Sequence, residues 1–417
     1  MTLATETLSG AGAWIKAMVD GWADYSEDEE KLTRTFLSPQ HKACSEAVMR
    51  AMRAAGMTAR LDAVGNVVGR YEAAQPGAKT LITGSHIDTV RDAGAYDGNL
   101  GVALPIACIA ELDSQNKRLP YAIEVVAFGD EEGVRFPTTL SGSRTVAGTI
   151  DLSTLSVTDA EGVSLRDALV HFGCDPDGIA GEARKPEDVA AFVEVHIEQG
   201  PVLESEGLAV GTVTAINGAS RFAITLEGMA GHAGTVPMHL RRDALAGAAE
   251  MVAAIEQRAA AEEGLVATVG RLSVAPGAIN VIPGKVAFTL DIRAPENQQR
   301  REAVAALKEK LGAIAKRRGL ELEIELLYEE GAVACSAGLM DQLDAATERQ
   351  GLRALRLPSG AGHDAMALSA LCPIAMLFVR CSGGISHNPL ESITAEDAEA
   401  AARVFLDFLE HFDPNSL

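Results

Sequence analysis

Short apolar runs that end in glycine or acidic residues recur along the chain, and examples are TLITGS, AIEVVAFGDEEG, AFVEVHIEQG and AMLFVRCSGG. Helical or loop segments separate these runs, and continuous apolar runs of this length are typical of strands buried on both faces of a sheet. The segment NLGVALPIACIAELDSQ has the spacing of a helix with an apolar face. The pattern therefore predicts an α/β fold with a largely buried sheet.

A second pattern begins near residue 214 and ends near residue 330. Its elements follow the order strand, helix, strand, strand, helix, strand, which is that of a ferredoxin-like βαββαβ unit. We therefore predict a main domain of residues 1–213 and 331–417 and an inserted domain of residues 214–330. The predicted elements of the inserted domain are SRFAITLEG, a helix from Arg241 to Ala261, LVATVGRLSV, GKVAFTLDIRA, a helix from Asn297 to Arg318, and LELEIELLY. The stripe predicted to be buried on the first helix is Leu245, Ala248, Val252 and Ile255.

Length and charge narrow the classes of function. A chain of 417 residues with 47% hydrophobic residues is sufficient for two or three domains with cores of their own. The formal net charge is −22, and no run of lysine or arginine is long enough to offset it locally, so neither a nucleic acid nor an anionic membrane surface is the expected partner. A small anionic substrate is compatible with this charge, because a single arginine can bind it in a pocket.

Cysteine usage and the apolar runs bear on the compartment. The six cysteines are scattered without a C-x-x-C pair, which disfavours a disulfide framework and a thiolate zinc site. The first residues, MTLATETLSGAGAWIK, lack the basic start and apolar core of a secretory signal. The longest apolar runs, GVALPIACIA and LCPIAMLFV, are far shorter than the roughly 20 residues that span a bilayer. We therefore expect a cytoplasmic protein with reduced thiols.

Histidine and carboxylate residues follow several predicted strands at their carboxyl ends, the sheet edge at which α/β proteins bind ligands. Three imidazoles with a bridging carboxylate suit a two-metal site, whereas two imidazoles and two carboxylates could hold a single metal ion. The candidate residues are His86, Asp97, Glu131, Glu132, His196 and His387.

Two short segments suggest how such a site would be organised. Asp88, two residues beyond His86, would project on the same side of a strand and could accept the second imidazole N–H, fixing the tautomer. The alternative is a pair of turn residues that satisfy backbone groups. In GDEEG the adjacent glutamates point in different directions, so one can bind metal while the other accepts a proton from water. The alternative there is a solvated loop or helix start.

Ten segments in this order resemble the hydantoinase/carbamoylase branch of the two-metal aminoacylase and carboxypeptidase superfamily. They are GNVVG, GSHIDTV, YDG, GDEEGVRF, EVHIEQGPVLE, GMAGHAGTVPM, NVIPG, DIRAP, SGAGHDAM and GGISHNP. The branch includes N-carbamoyl-L-amino-acid hydrolases, β-ureidopropionases and allantoate amidohydrolases. The resemblance implies a two-metal peptidase-like catalytic domain with a mixed sheet, into which a ferredoxin-like lid and dimerisation domain is inserted.

The resemblance also implies a role for each candidate ligand. Asp97 would bridge two metal ions, with His86 and His196 at one position and Glu132 and His387 at the other. The related exopeptidases usually have a carboxylate where this chain has His196, and this difference favours the carbamoyl branch. The ions would be zinc, manganese, cobalt or nickel, all of which accept imidazole and carboxylate ligands.

Catalytic and substrate contacts are implied in the same way. Glu131 would be the general base, and His232 could donate a hydrogen bond to the oxyanion. The guanidinium of Arg293 could bind a substrate carboxylate in a bidentate pair. The alternatives are turn residues for His232 and Asn280, and a surface salt bridge with Asp291 or Glu296 for Arg293. The residues expected to contact substrate are Gln199, Asn280, Arg293, Ser359, Gly360 and His363.

We therefore expect a metal-dependent hydrolase of the linear ureido C–N bond in a small carboxylate substrate. N-carbamoyl-L-amino acids and allantoate are the leading substrates, and the products would include ammonia and carbon dioxide. One alternative is an aminoacylase or dipeptidase of the same superfamily, which His196 and Gln199 disfavour. The other is a silent metal-binding or scaffold protein, which the intact Glu131 disfavours. The resemblance further implies a homodimer through the inserted domain, with His232 the candidate to reach the partner's site.

Overall fold

The computed structural model describes residues 10–417, so the first nine residues of the segment judged to lack a secretory signal lie outside the described part. The helices of the described part are α1 (Ala11–Ala23), α2 (Pro39–Ala54), α3 (Asn99–Ser114), α4 (Ser141–Val146), α5 (Leu165–Phe172), α6 (Val202–Glu206), α7 (Ala244–Ala260), α8 (Asn297–Arg318), α9 (Ala337–Arg349), α10 (Asp364–Leu368) and α11 (Ala395–His411). Short 3-10 segments lie at Leu152–Ser156, Pro176–Glu182, Pro186–Asp188, Met238–Leu240 and Ser382–Gly384.

The strands of the described part are β1 (Thr58–Leu61), β2 (Val67–Tyr71), β3 (Thr80–His86), β4 (Ala122–Phe128), β5 (Val189–Ile197), β6 (Val210–Ile216), β7 (Gly218–Glu227), β8 (Gly231–His232), β9 (Val266–Thr268), β10 (Leu272–Ala275), β11 (Val281–Ile282), β12 (Lys285–Ala294), β13 (Glu321–Glu330), β14 (Val333–Ala334), β15 (Arg356–Ser359) and β16 (Ile374–Val379).

The largest sheet has the strand order β1-β2-β4-β3-β5-β16-β6-β14, with β15 paired to β6. Its central strands β4, β3, β5 and β16 are parallel, while β1, β2 and β6 join it antiparallel. All residues of the four parallel strands are buried. The predicted α/β class with a mixed and largely buried sheet is confirmed.

Helix α3 follows the first candidate ligands and packs on this sheet. Its first eleven residues are all buried, because it contacts β3 and β5 on one side and α1 and α11 on others. The helix predicted for this segment is confirmed, and burial extends beyond one apolar face over these residues. Gly101 allows the close contact, since a Cβ there would lie 2.2 Å from the carbonyl oxygen of Val195.

Contacts divide the chain into two compact units. We call the first the main unit, which comprises residues through Thr214, Cys335–Leu357 and Gly362–Leu417. The second, the inserted unit, comprises Ala215–Ala334 and Pro358–Ala361. The sequence predicts segment 358–361 as part of the main domain, whereas its contacts place it in the inserted unit.

The inserted unit is built on an antiparallel sheet with the order β10-β12-β7-β13, to which β9 adds on β12. Helices α7 and α8 cover one face of it, and their buried side chains form a core with those of the sheet. Its helices and ten-residue strands follow the order β7, α7, β12, α8 and β13, and the short strands β9, β10 and β11 lie between α7 and β12. The predicted strand LVATVGRLSV is divided into β9 and β10.

The buried stripe of α7 differs from the predicted one. Leu245 is 37% exposed and Val252 is half-buried, so the prediction is wrong for these two residues. The buried side includes Gly247 instead, where a Cβ would lie 2.3 Å from the side chain of Leu320. Close packing at this glycine therefore contributes to which side of the helix is buried. The buried residues are Ala244, Gly247, Ala248, Met251 and Ile255.

Two further observations concern the expected compartment. Among residues 10–417, the apolar stretches of the helices are too short or too charged for any helix to cross a membrane. The six cysteines lie in this range as free thiols, and four of them are buried.

Candidate metal centre

The candidate ligands converge because their strands are parallel neighbours. His86 is the last residue of β3, and His196 is the penultimate residue of β5. Glu131 and Glu132 follow the end of β4 at Phe128. Strands β4, β3 and β5 are adjacent in the sheet, so their carboxyl ends meet at one edge.

Asp97 lies at the centre of three imidazoles and divides its two oxygens between them. Oδ1 lies 3.4 Å from Nε2 of His86 and 3.1 Å from Nε2 of His196. Oδ2 lies 3.2 Å from Nε2 of His387, whose Nε2 is also 3.7 Å from Oε1 of Glu132. The side chains therefore form two groups joined by one carboxylate.

Backbone carbonyl groups assign the tautomers of two of these histidines. Nδ1 of His86 lies 2.9 Å from the carbonyl oxygen of Asp88, and Nδ1 of His196 lies 2.9 Å from that of Ile197. Each Nδ1 must carry the proton to donate to a carbonyl group, which leaves a lone pair on each Nε2. The backbone N–H of Gly98 donates to Nε2 of His196 at 3.3 Å, in agreement with this assignment.

This arrangement fits divalent cations. Two Nε2 lone pairs face the same oxygen of Asp97, and such a contact is repulsive unless a proton or a cation lies among the three atoms. Protons fill this need in the metal-free chain: although burial lowers it, the bond with Asp97 and the charge of Glu131 raise the pKa of His86 well above its usual value. Oxygen and imidazole nitrogen donors of this kind bind zinc, manganese, cobalt and nickel.

Asp88 orients the site differently from the prediction. Its backbone carbonyl, not its carboxylate, accepts the proton of His86, and Oδ1 is 4.0 Å from that imidazole. The carboxylate accepts the backbone N–H of Glu131 at 3.2 Å and that of Glu132 at 3.3 Å. The carboxylate of Asp88 therefore fixes the loop that carries the glutamate pair.

The two glutamates share one environment. Ligand atoms of His86, Glu131 and Glu132 all lie within 4.8 Å of one another. Burial raises the pKa of Glu131 well above its usual value, and the negative charges of Glu132 and Asp364 add to this effect. Burial also raises the pKa of Glu132, to about 7. The geometry brings both carboxylates to the site beside His86.

Three residues at or next to the candidate site have a left-handed backbone conformation. His387 has φ 53°, Gln199 has φ 56°, and Asp130, which precedes Glu131, has φ 66°. Residues other than glycine rarely adopt this backbone region, and such residues are concentrated at functional sites. His387 is the most open of the candidate ligands, with half of its side chain exposed.

Gln199 and His363 lie against the ligands. Nε2 of Gln199 donates to Oδ2 of Asp97 at 2.7 Å, and its buried Oε1 has no hydrogen-bond partner among residues 10–417. The ring of His363 packs edge to face against that of His196, with 4.5 Å between the ring centroids. Glu194, His196 and His363 also form a candidate ligand group, but the carboxylate of Glu194 already accepts bonds from Ser85 and from the N–H of Ala365.

The inserted unit holds the other predicted residues in two places. His232 pairs with Val281 in the β8–β11 ladder, and the carbonyl of Asn280, which directly precedes Val281, accepts the N–H of Ala233 at 2.9 Å. The side chains of His232 and Asn280 are exposed. Nδ1 of His232 accepts the N–H of Gly234 at 3.0 Å, so its Nε2 carries the proton.

Arg293 lies apart from that ladder, beside Ser359 and Gly360. Its guanidinium forms two bonds with Asp291, at 2.9 and 3.0 Å, and donates to the carbonyl oxygen of Gly360 at 2.6 Å. Arg221 also donates to Asp291, at 2.9 Å. These residues line a cavity of about 600 Å³ in the inserted unit. The salt bridge considered as the alternative is therefore present, and two arginines share one carboxylate.

Two residues that sequence reasoning did not select complete the surroundings of Asp97. Ser386 donates to Oδ2 of Asp97 at 2.7 Å. Glu391 is buried and accepts the N–H of Tyr96 at 2.7 Å and that of Asp97 at 3.0 Å. Ser386 lies inside the GGISHNP motif that carries His387, and Glu391 lies two residues beyond it, so this motif was the signal available for them in the sequence.

Comparison with known proteins gives a consistent picture. Residues 82–411 match the model of peptidase family M20/M25/M40. An N-carbamoyl-L-amino acid amidohydrolase from Geobacillus stearothermophilus is 42% identical over 373 residues, with 89% of this chain and 91% of that protein covered. Allantoate deiminase 1 of Glycine max is 40% identical over 412 residues, with 91% and 85% covered. The crystal structure of a hydantoinase/carbamoylase family amidase from Burkholderia multivorans has a TM-score of 0.90 and 34% identity, with 95% and 97% covered.

Proposed function

Since this chain belongs to peptidase family M20/M25/M40 and is a hydrolase of linear amide C–N bonds, we propose that it cleaves the ureido bond of a small carboxylate substrate. N-carbamoyl-L-amino acids and allantoate are the candidate substrates, in keeping with the names of the two relatives. The predicted resemblance to the hydantoinase/carbamoylase branch is confirmed. The observation that carries the proposal is the division of the two Asp97 oxygens between two groups of ligands.

The residues present would hold two divalent metal ions. His86 and His196 would bind one ion with Oδ1 of Asp97, and Glu132 and His387 would bind the other with Oδ2. Bound ions of this kind lower the pKa of a water molecule and polarise a carbonyl group. The backbone carbonyls of Asp88 and Ile197 keep the two buried imidazoles in the tautomer that such binding needs.

Glu131 would move the proton. Its carboxylate would accept a proton from the attacking water and return it to the leaving nitrogen, so that ammonia is released as the C–N bond breaks. The carbamate that remains would lose carbon dioxide to give the free amino compound. Burial, which raises the pKa of Glu131, makes its carboxylate a stronger base than an exposed one.

The inserted unit would supply the substrate contacts. Nε2–H of His232, whose Nδ1 accepts the N–H of Gly234, would donate to the oxyanion, with Asn280 one residue before the ladder partner of His232. Arg293 would bind the substrate carboxylate, and Arg221 could then keep Asp291 neutralised. Gln199, Ser359, Gly360 and His363 would complete the contacts expected from the resemblance.

The inserted unit would also carry the interface of a homodimer. Its sheet has two edges, and β13 carries five glutamates, so two copies of β13 would bring like charges together. Strand β10 has no charged residue and exposes Leu272, so pairing of β10 with its copy is favoured. His232 would then be the residue that reaches the partner's site.

Two features favour this reaction over the alternatives. The imidazole of His196 takes a position where related exopeptidases usually have a carboxylate, which disfavours an aminoacylase or dipeptidase. A silent metal-binding protein would need no further carboxylate such as Glu131 beside the ligands. Six free cysteines suit a reducing compartment, and we assign the protein to the cytoplasm.

A substrate panel tests this proposal. Ammonia release would be measured with allantoate, N-carbamoyl-β-alanine, several N-carbamoyl-L-amino acids and the matching N-acetyl amino acids, with bound metal determined in the same preparation. We expect two ions per chain and kcat/KM at least tenfold higher for a ureido acid than for any N-acetyl compound. Preference for an N-acetyl compound would support the aminoacylase alternative, and bound metal without turnover would support the silent protein.

A further inference from the structure

The two oxygens of Asp97 have different surroundings. Oδ1 contacts only the imidazoles of His86 and His196 among the contacts described for it. Oδ2 accepts bonds at 2.7 Å from both Ser386 and Gln199, in addition to facing His387. One oxygen is therefore held by neutral donors that are not candidate ligands.

Glu391 holds the backbone of the same segment. Its Oε1 accepts the N–H groups of Tyr96 and Asp97, and its Oε2 lies 3.0 Å from the hydroxyl of Ser386. The side chain is 5% exposed and packs against Gly94, where a Cβ would lie only 2.2 Å from the carboxyl carbon of Glu391. The carboxylate of Glu391 thus contacts the main chain of Asp97 directly and its side chain through Ser386.

The hydroxyl of Ser386 has a single proton to share between two carboxylates. The shorter separation is the one to Asp97, 2.7 Å against 3.0 Å to Glu391. Gln199 also directs its amide at Ser386, at 3.2 Å. The hydroxyl of Ser386 therefore donates to Asp97. Ser386 and Gln199, which both donate to Oδ2, together set the rotation of the Asp97 carboxylate.

We propose that Ser386 and Glu391 are positioning residues that orient the Asp97 carboxylate and thereby set the affinity for the cation bound by Oδ2, Glu132 and His387. This inference rests on the proposed function, because it requires two cations. His387 is the most exposed candidate ligand, so the cation it would bind depends strongly on Oδ2 of Asp97. The cation between the buried His86 and His196 depends less on Oδ1. Loss of such outer hydrogen bonds typically lowers metal affinity about 10–100-fold.

The test compares Ser386→Ala with Ser382→Ala, a matched change at a nearby half-buried serine whose side chain makes no described hydrogen bond. Metal-free protein would be titrated with Mn²⁺ by calorimetry, and folding would be checked by circular dichroism and thermal unfolding. We expect Ser386→Ala to lower the affinity for one of two ions at least tenfold and to leave the other within about threefold, with kcat recovering at saturating Mn²⁺. Ser382→Ala should match the wild type.

Unchanged binding of both ions by Ser386→Ala would overturn the inference while leaving the proposed function intact. A wild-type protein that binds fewer than two ions would contradict both. Equal weakening of both ions would show a general loss of structure and would also overturn it.

Glu391 is tested by a pair of substitutions. Glu391→Gln keeps an oxygen that can accept the N–H groups of Tyr96 and Asp97 and offers an amide N–H to Ser386, whereas Glu391→Ala removes all three contacts. We expect the glutamine variant to bind the ion held by Oδ2, Glu132 and His387 with an affinity within about fivefold of the wild type. The alanine variant should bind that ion at least tenfold more weakly. Equal behaviour of the two variants would contradict positioning by these hydrogen bonds. If Glu391→Ala fails to fold, Ser386→Ala decides the question.

Discussion

The candidate ligands of the main unit and the candidate substrate residues of the inserted unit differ in how firmly each is held. His86, Asp97 and His196 are at most 4% exposed, and each has hydrogen-bond partners that fix its orientation. His232 and Asn280 are exposed, and their described hydrogen bonds are to their own unit's backbone. Most of the candidate metal site is thus held in place by hydrogen bonds, whereas the side chains of His232 and Asn280 are exposed to solvent.

This difference separates two properties that a single activity measurement would combine. Metal binding should depend on residues of the main unit and be insensitive to changes in the inserted unit. Substrate selection should behave in the opposite way. Each of the following experiments measures metal content and turnover separately, so that either half of the comparison can fail.

The largest effect is expected for Asp97→Ala. Two cations cannot lie close together without negative charge between them, so the variant should lose at least one ion and all measurable turnover. Metal content after dialysis and ammonia release would be determined on the same sample. Full occupancy in this variant would rule out the bridging role of Asp97.

Glu131→Gln should separate turnover from metal binding. An amide of the same shape cannot accept a proton from water, so kcat should fall about 10²-fold or more with both ions retained. Glu187→Gln, at an exposed position, is the control for the loss of one negative charge. If the Glu131→Gln variant were metal-free, Glu131 would be the metal ligand and Glu132 the general base.

Mixing inactive chains tests whether the inserted unit serves the partner subunit. His232→Ala and Glu131→Gln chains, mixed and allowed to exchange, should recover up to about half of the normal activity per heterodimer, because one of the two sites then has both wild-type residues. Exchange would be verified by mass spectrometry. Verified heterodimers without activity would mean that His232 acts in its own chain or has no catalytic role.

A smaller and selective effect is expected for Arg293→Lys. The lysine keeps the charge but loses the bidentate geometry, so kcat/KM should fall roughly 10-fold for carboxylate substrates and little for an uncharged ureido analogue. Arg221→Lys is the matched control, since Arg221 shares Asp291. Equal losses on both kinds of substrate would support the structural role indicated by the Arg293–Asp291 bonds.

The smallest effect is a pH dependence of stability in the metal-free protein. Burial raises the pKa of Glu132 to about 7, so the folded state binds a proton that the unfolded state releases near pH 4.5. Burial lowers the pKa of His86, but Asp97 and nearby carboxylates raise it well above 6.5, so this group continues the same fall above pH 6.5. The free energy of unfolding should therefore fall as pH rises from about 4.5 to 7, and added Mn²⁺ should oppose this fall. Thermal unfolding with and without metal would measure it, and a metal-free Tm that rises over this range would contradict it.

The sequence was sufficient for the four buried parallel strands and for the identity of the residues that meet at the sheet edge, but it did not separate β9 from β10. Apolar runs longer than a turn, each followed by histidine or carboxylate, specify buried parallel strands, and parallel strands bring their carboxyl ends together. The bounds of α8, Asn297–Arg318, were also predicted correctly, because its helical period is uninterrupted.

Tertiary structure decided the orientation of groups and the choice of partners. The buried side of α7 depended on which face could approach Leu320, and the partner of His86 was the carbonyl of Asp88 rather than its carboxylate. Ser386 and Glu391 reach Asp97 across nearly 300 residues of sequence. Spacing along a chain encodes the period of an element, whereas hydrogen bonds of 2.7–3.0 Å between distant segments depend on the packing of the whole sheet edge.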